Sequence, residues 1–219
     1  MELKTPKAIL FDWDNTLVNT WPTIHEALSQ TFVKYDKEPW SFEETKIKVG
    51  KSIRDAFPPL FGDHWEEAAD DYITNFRAIH LDQLEPLPDV LDTLAYCKEA
   101  SPFIGVVSNK RGENLRKEAT HIQWNHYFDV IVGANDAARD KPHADPAKYA
   151  LKDSGIEMGS DVWFVGDTIT DLGCAHAGGM PAILYGDVEG AHNHIYRDYP
   201  YAAHVKNHKE LLALIQKFC

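Results

Sequence analysis

The chain has 219 residues, of which 44% are hydrophobic and 26% are charged, as in an ordinary globular protein. Acidic residues outnumber basic ones by 34 to 22, and the net charge of −12 argues against nucleic acid and against an anionic membrane surface as partners. An anionic substrate is not excluded, because a bound metal ion can reverse the local field. The three cysteines show no disulfide or zinc spacing, the first residues lack the apolar stretch of a signal peptide, and nothing approaches a membrane span, so we expect a cytoplasmic protein.

The first predicted element is a buried strand at residues 7–11, because residues 8–11 are apolar without interruption. Asp12 and Asp14 follow it directly, and in an open α/β sheet ligands bind outside the carboxyl ends of the strands. Two carboxylates this close repel each other, and a divalent cation would relieve the repulsion. One carboxylate could then attack as a nucleophile while the other moves protons. Taken alone, the segment could equally be a turn or a helix cap.

Residues 20–84 show apolar side chains at helical spacing and no strand pattern. Thr20 and Pro22 suit the start of the first helix there. We therefore expect an all-helical cap domain at residues 20–84, inserted into an α/β core domain of residues 1–19 and 85–219.

Strand and helix patterns alternate after this segment. The predicted strands are residues 103–107, 130–133, 162–165, 182–185 and 201–205, and the predicted helices include residues 113–120, 146–153 and 169–177. Such alternation predicts βαβ units and hence the α/β class, with a doubly wound parallel sheet.

Reactive side chains follow three of the predicted strands, the first of which is followed by Asp12 and Asp14. Ser108 and Asn109 end one strand, Asp167 ends another, and Lys141 lies in a loop between them. Because parallel strands end at one edge of a sheet, we expect these groups to meet the first two aspartates. Carboxylates suit Mg²⁺, while an amine and a hydroxyl suit phosphate oxygens, so the set predicts metal-assisted phosphoryl transfer. Alone, the serine and asparagine could form a turn, and the lysine could be a solvated surface residue.

Four segments, in this order, resemble the motifs of the haloacid dehalogenase-like superfamily. They are Asp12-Trp13-Asp14-Asn15-Thr16, Ser108-Asn109, Lys141-Pro142 and Gly166-Asp167-Thr168-Ile169-Thr170-Asp171. The resemblance covers nearly the whole chain and is to the phosphoglycolate phosphatase-like members with a helical cap. It implies Mg²⁺-dependent hydrolysis of a small phosphorylated metabolite, a phosphomonoester, through an aspartyl-phosphate. We expect a monomer or a homodimer.

The resemblance also implies a role for each reacting residue. Asp12 would attack phosphorus, and Asp14 would protonate the leaving oxygen and then activate water. Ser108 and Lys141 would hold the transferring phosphoryl group, with Asn109 alongside. Most of the catalysis would then be positioning and electrostatics.

The same resemblance implies a magnesium site. Asp12, the main-chain carbonyl of Asp14 and Asp167 would hold the ion, and Asp171 would support the ion or its waters. Asp171 could instead simply favour a helix N-terminus by its charge.

Two residues of the first motif depart from its usual form. Trp13 is bulkier than the usual aliphatic residue and is expected to shape the pocket, and Asn15 stands where Gly is common. In the helical segment, Lys51 and Arg54 either reach the substrate or are solvated charges. The segment Gly50-Lys51-Ser52 is no P-loop, because residue 45 is Thr rather than Gly.

Other candidate sites are weaker. His192, His194, His204 and His208 lack a cysteine or carboxylate at zinc-site spacing. Cys174 lies in an apolar helix pattern and is expected to be buried rather than nucleophilic. Asp14 argues against a dehalogenase. A phosphosugar mutase of the same fold and a non-catalytic phosphate-binding module remain alternatives. A phosphonate hydrolase, which needs a cap lysine, is the weakest alternative.

Overall fold

Eight strands are present in the computed structural model, which describes residues 3–100, 103–187 and 198–219. They are β1 Ala8–Phe11, β2 Val18–Asn19, β3 Glu85–Pro86, β4 Phe103–Arg111, β5 Val130–Ala134, β6 Val162–Gly166, β7 Ala182–Tyr185 and β8 Ala203–Val205. Six of them form one parallel sheet in the order β5-β4-β1-β6-β7-β8. The predicted parallel α/β sheet is confirmed, and β1 lies between β4 and β6.

Helices cover both faces of this sheet. The helices are α1 Trp21–Lys34, α2 Phe42–Lys48, α3 Ile53–Phe61, α4 Trp65–Ile79, α5 Val90–Ala100, α6 Gly112–His121, α7 Asp145–Leu151, α8 Ile169–Ala177 and α9 His208–Ile215. Ile9 and Phe11 of β1 belong to an apolar cluster with residues of α5, α6 and α9. Ala8 and Leu10 belong to a second cluster with residues of α7 and α8. Both faces of β1 are therefore buried, which explains its uninterrupted apolar sequence.

Four helices, α1 to α4, lie between β2 and β3. Their own apolar cluster includes Leu28, Phe32, Phe57 and Phe61. β2 pairs antiparallel with β3, so the two ends of this helical segment lie side by side. The helical character of residues 20–84 is as expected, and the short β2–β3 ladder was not predicted because two residues carry no periodic pattern. No helix of the described ranges is long and apolar enough to cross a membrane.

The start of α1 follows the expectation only in part. Pro22 lies in its first turn and Thr20 is the residue before the helix, as predicted. The Thr20 side chain makes no capping hydrogen bond, because its hydroxyl donates to Asp14 Oδ1 at 2.8 Å. The residue that precedes α1 therefore also holds an aspartate of the first motif.

His208 ties the last helix to the loop after β1. Its Nε2 lies 2.8 Å from the carbonyl oxygen of Thr16, so this nitrogen carries the proton, and Nδ1 lies 3.2 Å from Thr93 Oγ1. Burial lowers the pKa of His208 to about 4, against a smaller opposing effect of the Thr16 carbonyl. His204 hydrogen-bonds to a main-chain carbonyl. His192 and His194 lie outside the described residues.

The buried His208 predicts a loss of stability in mild acid. Unfolded His208 binds a proton near its ordinary pKa of 6.5 and the folded residue only near 4, so the folded state is favoured less as pH falls between these values. We expect the free energy of unfolding to lose about 2 kcal/mol from this group between pH 7 and pH 5. In urea denaturation, the difference in the free energy of unfolding between the native chain and His208→Gln should therefore be smaller at pH 5 than at pH 7. The exposed His121→Gln is the control, and parallel pH profiles for native and His208→Gln would contradict the account.

Candidate active site

Three carboxylates converge where β1 and β6 end. The amide of Asp12 donates to the carbonyl of Val165 at 2.8 Å, which fixes the two strand ends to each other. Asp12, Asp167 and Asp171 each offer a carboxylate oxygen, and these oxygens lie within 4.8 Å of one another. The fold thus brings together acidic residues from two motifs that are far apart in the sequence.

Lys141 is the cation of this cluster, and it is 1% exposed. Its Nζ lies 2.8 Å from Asp12 Oδ1 and 2.6 Å from Asp171 Oδ1. Buried lysines need such partners, because an unpaired charge is costly to remove from water. The peptide bond between Lys141 and Pro142 is cis. The alternative of a solvated surface lysine is therefore wrong.

Asn109 holds the main chain of Lys141 on both sides. Its Oδ1 accepts from the Lys141 amide at 3.0 Å, and its Nδ2 donates to the Lys141 carbonyl at 3.0 Å. The same Nδ2 donates to the carbonyl of Gly50 in the helical segment at 2.9 Å. Ser108 is buried beside it, and its Oγ accepts from the amide of Lys110 at 3.2 Å. Asn109 therefore orients the lysine and contacts the helical segment.

Asp171 has both carboxylate oxygens occupied. Oδ2 accepts from the amide of Thr168 at 2.8 Å and from its hydroxyl at 2.6 Å, in a capping box at the start of α8. Oδ1 accepts from Lys141 at 2.6 Å. Gly166 allows this approach, since a side chain there would collide with the Asp171 carboxyl group. Asp171 thus starts a helix and also holds the buried lysine.

The cluster has three carboxylates and one lysine, so negative charge is in excess when the acids are ionised. Burial raises the pKa of Asp12 to about 7; Lys141 opposes this rise, and Asp171 and Asp14 add to it. Burial, then the charges of Asp171 and Asp12, raise the pKa of Asp167 well above its ordinary value. Asp12 Oδ1 accepts no well-directed hydrogen bond from the described residues, its contact with Lys141 being an ion pair. A donor set of carboxylates with excess negative charge fits a hard divalent cation such as Mg²⁺.

Asp14 lies beside this cluster with one oxygen held. Thr20 Oγ1 donates to its Oδ1 at 2.8 Å, and Lys110 Nζ lies 2.6 Å from the same oxygen. Residues 3–100, 103–187 and 198–219 form no hydrogen bond to Oδ2. The next residue, Asn15, has φ of 58°, a left-handed conformation that asparagine tolerates better than most residues. One carboxylate oxygen of Asp14 is therefore available to a ligand.

Sequence reasoning missed a second buried lysine and its partners. Lys110 Nζ lies 2.6 Å from both Asp14 Oδ1 and Glu118 Oε2. Glu118 Oε1 lies 2.7 Å from His80 Nδ1. Two signals were present: Lys110 directly follows Ser108-Asn109, and Glu118 is on the buried face of an amphipathic helix.

The expected role of Trp13 in the pocket is wrong. The side chain is fully buried, and its ring packs edge-on against Trp124 at a centroid distance of 5.8 Å. Its Nε1 donates to Glu118 Oε2 at 2.7 Å. The bulky residue between the two aspartates faces away from the site and binds the buried glutamate.

A cavity lies between these strand ends and the helical segment. Among its lining residues are Asp12, Asp14, Ser108, Asn109, Lys141, Lys51, Arg111, Trp21, Ile24, Val49, Ile53, Tyr72 and Phe76. Lys51 faces this cavity, whereas Arg54 Nε donates to the buried Asp140 at 2.5 Å. The two cations that sequence analysis singled out in this segment therefore have different surroundings.

Comparison with known proteins agrees with this geometry. A family model described as haloacid dehalogenase-like hydrolase matches residues 9–185. The pyrophosphatase PpaX of Bacillus pumilus is 30% identical over 183 residues, 82% of this chain and 82% of that protein. The phosphoglycolate phosphatase of Aquifex aeolicus is 28% identical over 182 residues, 81% of this chain and 84% of that protein.

Solved structures share the fold. A haloacid dehalogenase-like hydrolase from Streptococcus pneumoniae superposes with a TM-score of 0.84 at 23% identity and covers 97% of this chain and 99% of that chain. A HAD-superfamily hydrolase from Ehrlichia chaffeensis has a TM-score of 0.67 at 28% identity and covers 99% of each chain.

The chain belongs to the haloacid dehalogenase-like hydrolase family, since the family model matches most of its length. It is an enzyme of that family, and the relatives that it matches are phosphatases.

The buried lysine predicts a large effect on stability. Lys141→Met would leave the three carboxylates without their cation, and breaking a buried ion pair from one side costs about 3 to 5 kcal/mol. We expect urea denaturation in EDTA to show a loss in this range. The control is Lys7→Met, which removes an exposed ion pair with Asp161 and should change stability little. Similar losses of unfolding free energy for the two variants would contradict the assignment of Lys141 as the buried cation of the carboxylate cluster.

Proposed function

We propose that the protein is a Mg²⁺-dependent phosphatase that hydrolyses a small phosphomonoester through a phosphorylated Asp12. The observation that supports this most is the convergence of Asp12, Asp167 and the buried Lys141 at one sheet edge, with Asp14 beside them. A nucleophile, a cation for phosphate oxygens and a second carboxylate are the groups that stepwise phosphoryl transfer needs.

The metal would be held by the carboxylates of Asp12 and Asp167 and the main-chain carbonyl of Asp14. Asp171 supports this site through Lys141 and the start of α8 rather than by a free oxygen. When bound, the cation supplies charge neutralisation and polarises a phosphoryl oxygen. Its charge would offset the burial, and the smaller effect of the neighbouring carboxylates, that raise the pKa of Asp12 and Asp167.

The first step transfers the phosphoryl group to the protein. A carboxylate oxygen of Asp12 forms a bond to phosphorus while the bond from phosphorus to the ester oxygen breaks. The departing oxygen takes a proton from Asp14 and leaves as an alcohol. Ser108 and Lys141 donate to the phosphoryl oxygens, on which the negative charge is spread.

The second step returns Asp12 to its free form. A water molecule attacks phosphorus and loses a proton to Asp14, which the first step left ionised. The bond from phosphorus to Asp12 breaks, and inorganic phosphate leaves. The helical segment covers the cavity, and we propose that it limits bulk water and selects the leaving group.

The cavity supports a substrate with a second anionic group. Lys51 and Arg111 line it, and neither side chain has a hydrogen-bond or ion-pair partner in the described part of the chain. Relatives of the chain are a pyrophosphatase and a phosphoglycolate phosphatase, whose named substrates both carry such a group. A small phosphorylated metabolite of this kind is the partner that we propose.

Phosphate release from a panel of phosphate esters and pyrophosphate tests the proposed function. The panel pairs phosphoglycolate and pyrophosphate with alkyl phosphates and sugar phosphates, each measured with Mg²⁺ and with EDTA. We expect Mg²⁺-dependent release that Asp12→Asn abolishes, since an amide is a far poorer nucleophile than a carboxylate. The doubly anionic compounds should have the lowest KM. Asp161→Asn removes an exposed carboxylate from the far end of β6 and should leave turnover unchanged.

Three outcomes would contradict this proposal. Release that survives Asp12→Asn would exclude Asp12 as the nucleophile. Phosphoryl transfer between two positions of a sugar, without net release, would indicate a mutase. Binding of phosphate by a folded protein that turns over no ester would indicate a non-catalytic module.

A further inference from the structure

A buried polar network runs from the helical segment to Asp14 and is not used in the proposed reaction. It consists of His80 at the end of α4, Glu118 on α6, Lys110 on β4 and Trp13 after β1. We propose that Glu118 is a positioning residue that acts through Lys110 to hold the Asp14 carboxyl group for proton transfer. This inference rests on the proposed function of Asp14.

Glu118 is 0% exposed, and its carboxylate is fully engaged. Oε2 lies 2.6 Å from Lys110 Nζ and accepts from Trp13 Nε1 at 2.7 Å, and Oε1 lies 2.7 Å from His80 Nδ1. Buried ion pairs of this kind contribute little net stability compared with apolar residues of the same size. The arrangement is therefore better explained by what it positions than by stability.

Lys110 is the link between Glu118 and Asp14. Its side chain is 5% exposed, and Nζ contacts the two carboxylates at 2.6 Å each and lies 5.0 Å from the centroid of the Phe76 ring. Two carboxylates flank the buried ammonium group, which compensates for its removal from water. A flexible lysine side chain thus has one fixed position.

The fixed ammonium group determines which oxygen of Asp14 is free. Lys110 Nζ and Thr20 Oγ1 both contact Oδ1, and no described residue bonds Oδ2. Without the Glu118 charge, Asp14 would be the one anionic partner left to Lys110 among the described residues, and Lys110 could contact both of its oxygens. A proton donor must lie within hydrogen-bond reach of the leaving oxygen, and small displacements of a reacting group slow catalysis strongly.

The network also connects Asp14 to the helical segment. His80 Nδ1 must carry the proton, because the carboxylate of Glu118 is an acceptor. Trp13, the neighbour of Asp14 in the sequence, binds the same glutamate from the other side. The position of Asp14 therefore depends on α4 and α6 as well as on the loop after β1.

The leaving group distinguishes positioning from a purely structural role. An alkyl phosphate expels a strongly basic oxygen that needs a proton, whereas p-nitrophenyl phosphate expels a stable anion that does not. For Glu118→Gln we expect single-turnover phosphoryl transfer from the alkyl ester to slow about 10- to 100-fold, part of what a positioned proton donor contributes. Transfer from p-nitrophenyl phosphate should slow less than about threefold in the first step, with KM unchanged for both esters.

Glu113→Gln is the matched control, and Asp14→Asn is the benchmark. Glu113 lies on the same helix and pairs with Arg77 of α4, but its side chain is 71% exposed and does not contact Lys110. This variant should behave like the native chain. If Glu118→Gln does not fold, Lys110→Gln should show the same dependence on the leaving group, and Lys110→Arg should retain more of the alkyl ester activity.

Two results would overturn the inference, and they differ from failure of the proposed function. Equal slowing of both esters in Glu118→Gln or Lys110→Gln would show a structural role only. Native rates in those variants, with Asp14→Asn still selective for the alkyl ester, would show that Asp14 needs no such support. A native chain that turns over neither ester, or an Asp14→Asn variant without selectivity, would overturn the proposed function itself and the inference with it.

Discussion

The pairing of one buried lysine with a cluster of carboxylates is the interaction on which the site depends. Lys141 lies between Asp12 and Asp171, and Asp167 adds a further negative charge. Burial makes each unpaired charge costly, so the lysine favours the ionised acids and the proposed cation would favour them further. Much of the nearby hydrogen bonding, including both contacts of Asn109 with the Lys141 main chain, serves to hold this lysine in place.

The order of the strands makes this cluster possible. After β5 the chain crosses to the other side of β1 and forms β6, so β1 has a neighbour on each side. Ser108 and Asn109 near the end of β4 then meet the motif residues that follow β1 and β6 at one edge, as expected where the direction of winding reverses. The helical segment closes the space above this edge, and the Gly50 carbonyl contacts Asn109 directly.

Much of this arrangement could be predicted from the sequence because it depends on local patterns. Apolar runs identified the strands of the sheet, and the position of Asp12, Ser108 and Asp167 after those runs placed them at one edge. The α8 helix has the predicted bounds because Gly178 and Gly179 follow a clear helical pattern. The family resemblance then supplied roles that spacing alone does not give.

Other features depend on contacts that no local pattern specifies. The direction of Trp13 and the reach of Lys110 to Glu118 are set by the packing of α6 against the sheet, which periodicity does not determine in atomic detail. The β2–β3 ladder has too few residues to form a pattern. Sequence reasoning therefore located the reacting groups better than the residues that hold them.

The central claim is that Asp12 carries the phosphoryl group between the two steps. The most direct measurement is rapid acid quench of the protein during turnover with Mg²⁺, followed by proteolysis and mass spectrometry of the peptide that contains Asp12. The account predicts one phosphoryl group on Asp12 in the native chain and a larger phosphorylated fraction in Asp14→Asn, in which hydrolysis of the intermediate is slowed. Rapid turnover with no phosphoryl group on Asp12, or with the group on another residue, would contradict it.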